Sequence, residues 1–112
     1  MLCVFARPYR SLRVKEPMLI RIVKMTFRPE STDEFEAIFA EVRAKIRTQP
    51  GCHELRLLKG DENIYFTYSR WENDAALQAY RYSRLFEDTW KRTKRLFAER
   101  AEAWSTKVLY DN

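Results

Sequence analysis

Apolar and polar positions change period several times along the chain, and each change marks an element. Met18 to Phe27 alternates as a strand, with Leu19, Val23, Met25 and Phe27 sharing a face with Arg21, and Ile20 and Ile22 on the other. Both faces are apolar, so both are expected to be covered. Arg28 to Ser31 turns the chain, and Ser31 followed by Glu34 reads as a capping box at a helix start. Phe35, Ile38, Phe39, Val42 and Ile46 then recur at helical spacing, with Glu36, Glu41, Arg43 and Arg47 on the solvent side. Pro50-Gly51 stops that helix.

Alternation returns in Cys52 to Lys59, with His53, Leu55 and Leu57 on one face. Gly60 to Asn63 reads as a hairpin connection into Ile64 to Trp71, a run dense in β-formers. There Ile64, Phe66 and Tyr68 oppose Tyr65, Thr67, Ser69 and Trp71. Asn73 is placed to cap a short helix over Asp74 to Tyr82, and Ser83 a longer one reaching about Arg100, with Phe86, Trp90, Thr93 and Phe97 on its stripe. Trp104 to Tyr110 alternates as a last strand. The order β-α-β-β-α-α-β predicts an α+β fold of the ferredoxin-like, split βαβ kind, a four-stranded antiparallel sheet with helices on one face. Such a sheet leaves Ile20, Ile22, Phe66 and Tyr68 on its open side, and a second copy packing sheet against sheet is expected to cover them.

The net charge of +5, from 21 Lys and Arg against 16 Asp and Glu, invites a nucleic-acid reading. Four of those basic residues, Arg7, Arg10, Arg13 and Lys15, lie within residues 1–17 against Glu16 alone. The basicity therefore belongs mostly to a segment without regular period, expected to be a poorly ordered arm ahead of one domain over residues 18–112. Met18, just before the first strand, is an alternative translation start. The aromatic strand NIYFTYSRW lacks the glycine of the RNA recognition motif, so no nucleic-acid partner is expected. No apolar run is long enough to span a membrane, and the arm lacks a signal-peptide core, which predicts a cytoplasmic protein without a membrane partner. One histidine and two distant cysteines, Cys3 and Cys52, cannot supply a zinc site or a disulfide scaffold, and there is no glycine-rich phosphate loop. No metal or other cofactor is expected.

The segments LIRIVKMTFRPESTDEFEAIF, QPGCHELRLLKGDE, YFTYSRWEND and YRYSRLFEDTWKRTKRLF give the chain a family likeness. Over roughly residues 18–110 it resembles the antibiotic biosynthesis monooxygenase family of dimeric α+β barrels. The Pro-Gly stop before the second strand, Trp71 ending the third, and the Ser83-x-x-Phe86 helix start carry the likeness by their order. The resemblance implies a homodimer, a cavity between sheet and helices, and chemistry on small aromatic or quinone-like molecules, often with O₂ and without metal or flavin. The family also holds an isomerase and haem-degrading members. The haem-degrading pattern needs an Asn where this chain has Arg21 and an axial His where it has Trp90. Indole has no lone pair for iron, so that branch is disfavoured.

The face bearing Trp71 also carries Tyr65, Thr67, Ser69 and Arg21, and Phe86 and Trp90 point back from the long helix. Aromatic walls suit a planar ligand, and hydroxyls on an inward face need partners. Tyr65, Thr67, Ser69, Phe86 and Trp90 are thus candidate substrate-binding residues. Arg21, His53 and Trp71 are candidate catalytic ones, Arg21 stabilising an anion and His53, the one histidine of the sequence, serving as a base. The expectation is a cofactor-independent monooxygenase acting with O₂ on a phenolic or quinol substrate. The alternatives are a non-catalytic homodimer that binds a small hydrophobic ligand, or an isomerase.

Overall fold

The computed structural model describes residues 17–112, so the arm expected over 1–17 lies, apart from Pro17, outside the described residues. The elements run β1 (Leu19–Thr26), α1 (Thr32–Arg47), β2 (Cys52–Lys59), β3 (Ile64–Trp71), α2 (Asp74–Arg81), α3 (Arg84–Lys94) and β4 (Glu102–Lys107). The strands form one antiparallel sheet in the order β2-β3-β1-β4. This is the ferredoxin-like α+β arrangement expected from the hydrophobic pattern.

Register decides which residues reach the helices. Leu19 pairs with Trp71, Arg21 with Ser69, Val23 with Thr67 and Met25 with Tyr65, and all point to the helical side. On β4, Ala103 and Ser105 continue those rows. The helical side divides into two packed clusters. Met25, Phe27, Phe35, Ile38, Tyr65 and Leu96 form one, and Leu19, Cys52, Trp71 and Leu77 the other. Between them the layers part, and the candidate site lies there.

The connections are locally encoded. Asn73 accepts the Ala76 amide at 2.9 Å to start α2, and Ser83 accepts the Phe86 amide at 3.1 Å to start α3. Gly51 takes φ +83°, which only glycine adopts without strain, and an added Cβ would stand 2.5 Å from Cβ of Ala76. Its carbonyl accepts the Glu72 amide at 2.8 Å, which ties the start of β2 to the end of β3.

Four expectations are corrected. Ser31 stands at the N-terminus of α1, but its side chain makes no cap bond, because Pro29–Ser31 winds as a 3₁₀ turn that leads into the helix. The register shifts between Cys52 and Glu54, so His53 leaves the face of Leu55 and Leu57 at a bulge. The long helix ends at Lys94, not near Arg100, because Leu96 turns into the core and Phe97 forms a bridge with Phe27. Phe97 therefore leaves the helical stripe. The last strand begins earlier and ends at Lys107, since β1 offers partners only from Lys24 back to Leu19.

Candidate functional site

A cavity of about 290 Å³ opens between the sheet and the helices. Its floor is the inner face of β1 and β3, with Arg21, Val23, Thr67, Ser69 and Trp71. Ile38, Phe39 and Val42 of α1 cover one side, and Tyr80, Phe86 and Trp90 of α2 and α3 the other. The size lies near the lower end of pockets that hold small organic ligands, about 300–1,000 Å³.

One wall is a continuous run of rings. Trp71 stacks on Tyr80 with centroids 5.2 Å apart and 20° between planes. Tyr80 meets Phe86 edge-on at 5.3 Å, and Phe86 lies parallel to Trp90 at 5.8 Å and 9°. Trp90 then meets Phe97 edge-on at 5.5 Å. Rings that lock one another in these geometries present flat, pre-organised faces, which suits stacking against a planar guest.

The polar groups are few and held in place. Trp71 is fully buried, and its indole Nε1 donates to Ser69 Oγ at 2.9 Å. Ser69 thereby spends an acceptor site and keeps its own proton as a donor. Arg21 is half-buried, and its Nη1 donates to Ser105 Oγ at 3.0 Å across the β1–β4 pair. Burial lowers the Arg21 guanidinium pKa, repulsion from Arg81 lowers it further, and Asp74 acts in the opposite sense. Arg81, at the end of α2, lines the same cavity. Burial pushes the Tyr80 phenol well above its ordinary range, with the neighbouring Cys52 adding to the effect, so Tyr80 stays neutral near physiological pH.

Of the residues singled out from sequence, the structure brings Arg21, Thr67, Ser69, Trp71, Phe86 and Trp90 onto this one cavity. Two stand apart. Tyr65 is completely buried in the neighbouring core cluster, and its hydroxyl donates to the Glu36 carboxylate on α1. His53, on its bulge, is half exposed with Nε2 3.6 Å from Glu72 Oε1, away from the lining. Tyr80 and Arg81 were not singled out. The helical spacing of Leu77 with Tyr80 and Arg81 is the signal that points to them, since it puts one face of α2 toward the sheet.

The family profile described as antibiotic biosynthesis monooxygenase matches residues 18–92. A search of curated proteins finds no match. Among solved structures, a Caulobacter crescentus protein provisionally assigned as an antibiotic biosynthesis monooxygenase shares 18% identity at a TM-score of 0.79, covering 85% of this chain and 92% of its own. A Bordetella bronchiseptica protein with the same provisional assignment shares 22% identity at 0.75, covering 85% and 100%. Rv0793 of Mycobacterium tuberculosis shares 17% identity at 0.77, covering 84% and 97%. At these identities the structural likeness establishes the fold. Among the described residues no helix is long and apolar enough to cross a membrane.

Proposed function

This chain belongs to the antibiotic biosynthesis monooxygenase family, and on that premise we propose that it oxygenates a small phenolic or quinol substrate with O₂ in the cavity between its sheet and helices. The observation that carries the reading is one cavity in which the rings of Tyr80, Phe86 and Trp90, continued by the buried Trp71, meet Arg21 and the Ser69 hydroxyl on the sheet floor. Stacking would hold the ring, and hydroxyl and guanidinium donors would orient its oxygens.

In this reaction the substrate loses a proton, and its electron-rich anion passes one electron to O₂. The radical pair recombines to a carbon–oxygen bond. The recombined product is a carbon-bound peroxide. Its O–O bond breaks as the attacked carbon gives up its proton, so one oxygen stays as a carbonyl and the other leaves as water, and the substrate ends oxidised to a quinone with no external reductant needed. Arg21 would favour the anion electrostatically, and the apolar walls would keep water from the radical pair. No carboxylate or imidazole lies among the described residues that line the cavity, so the substrate's proton would leave to solvent at the mouth rather than to His53.

The working unit in this proposal is a homodimer. The outer face of the sheet carries Ile20, Ile22, Phe66 and Tyr68 in adjoining rows, with Leu58 and Trp104 each 46% exposed beside them. A second copy would cover this face. Cys52 is buried and forms no disulfide among the described residues, which fits the reducing cytoplasm.

The test is O₂ uptake coupled to consumption of a quinol panel. The reading expects stoichiometric O₂ consumption, lowered about tenfold or more in Arg21→Ala if one charge-assisted contact to the anion is lost. Quinol binding without any O₂ uptake would replace the oxygenase reading with that of a ligand-binding protein.

A further inference from the structure

Arg21 and Arg81 reach the cavity from opposite layers, one from the middle of the sheet and one from the end of α2. Among the described residues neither forms an ion pair, whereas Arg28, Arg56, Arg70, Arg92 and Arg95 each find a carboxylate. Arg21 holds one hydroxyl, that of Ser105, and Arg81 one amide oxygen, that of Gln78, at 3.4 Å. Asp74 attracts Arg21, but its carboxylate accepts from the Gln78 amide at 3.2 Å and pairs with neither guanidinium. The rest of the lining is aliphatic, aromatic, hydroxyl or thioether. Arg21 is half-buried and loses solvation, Arg81 is exposed at the mouth, and the two like charges repel each other; an anion between them would relieve both costs. Outside the mouth, Arg81, Lys91 and Lys94 line a shallow groove with Phe86 and Trp90, against the single carboxylate of Glu87. The positive field therefore extends along the approach.

We propose that the ligand of this cavity is an aromatic carboxylate, its anionic group held between Arg21 and Arg81 and its rings against Tyr80, Phe86 and Trp90. The proposal rests on reading the cavity as an aromatic-ligand site, and adds the group that the ring must carry. Arg21, fixed by Ser105, keeps further N–H donors for the carboxylate, and Arg81 closes on it from the mouth. A neutral ring of the same size would gain the stacking but leave both guanidiniums without a counter-charge.

The test compares 2-naphthoate with its methyl ester, which keeps the rings and removes the charge. Binding is measured by calorimetry and by quenching of tryptophan fluorescence at neutral pH, in wild type, Arg21→Gln, Arg81→Gln and Arg21→Lys. A charge-assisted hydrogen bond predicts that naphthoate binds about tenfold to a hundredfold more tightly than the ester. Each Gln variant should lose about that factor for naphthoate and much less for the ester, whose retained binding also shows that the cavity is intact. Arg21→Lys should retain part of the preference. Equal binding of acid and ester by wild type, or equal losses of both in the Gln variants, would overturn the anion proposal and leave the aromatic cavity standing. Failure of both probes to bind would overturn the cavity reading together with it.

Discussion

Ser69 and Trp71 act as a unit, because the buried indole N–H has the serine hydroxyl as its partner at 2.9 Å. Ser69→Ala leaves that donor unpaired, which costs about 1–3 kcal/mol. Trp71→Phe removes the donor itself, and the two changes together should cost less than their sum, since the second mutation finds no bond left to break. Urea unfolding of the two single variants and the double variant measures this coupling. Tyr65 tests a different property. Burial first, and the hydrogen bond to Glu36 next, raise its phenol pKa to about 12. In the unfolded chain the same phenol ionises near 10. The folded state therefore holds the proton longer, so the stabilisation is complete below about pH 10 and is lost as pH climbs toward about 12. Urea midpoints across that range should fall for wild type and fall less for Tyr65→Phe.

At the scale of the element, caps separate what the sequence pattern encodes from what the tertiary fold decides. Asn73 and Ser83 each accept an amide at the start of a helix, so replacement by alanine should cost about 0.5–2 kcal/mol in either case. Ser31 occupies a similar place in the sequence without that bond, so Ser31→Ala should cost clearly less; chemical denaturation of the three variants makes the comparison. Strand alternation makes the strands and their two faces legible in the sequence, because period two is a local property. The cavity-facing positions Arg21, Thr67, Ser69 and Trp71 follow from the same alternation. The end of α3 was hidden, since Leu96 and Phe97 continue an apolar helical pattern and leave the helix only because Phe27 and the core take them. A local signal did exist there: Lys91, Arg92 and Lys94 crowd the last turn, where cations favour a helix C-terminus. The bulge at His53 left no mark in the sequence, as a single inserted residue preserves the composition of a strand while turning its histidine off the shared face. Tyr65 was misplaced for a related reason. Alternation fixes the face a residue points to, but not how far along that face the cavity extends.

For the molecule as a whole, the two sides of the sheet make different demands. The helical side encloses its cavity within one chain. The other side runs Leu58 beside Phe66 on one row, and Tyr68, Ile22 and Trp104 across the next, with no helix over them among the described residues. Two-fold pairing would set these rows against their own copies, with Lys24 and Glu102 continuing the Phe66 row, Arg56 at the edge of the Tyr68 row, and Glu54 and Arg70 in the row beyond. Ile22 lies in the central row, between Tyr68 and Trp104, so a charge there would meet an apolar surface from both chains. Wild type should therefore sediment at twice the 13.6 kDa chain mass. Ile22→Asp should shift the protein toward a single chain that still binds methyl 2-naphthoate, because position 22 points away from the cavity. A wild-type protein that sediments as one chain at high concentration would remove the homodimer from the proposal, while the cavity, built within a single chain, would keep its own tests.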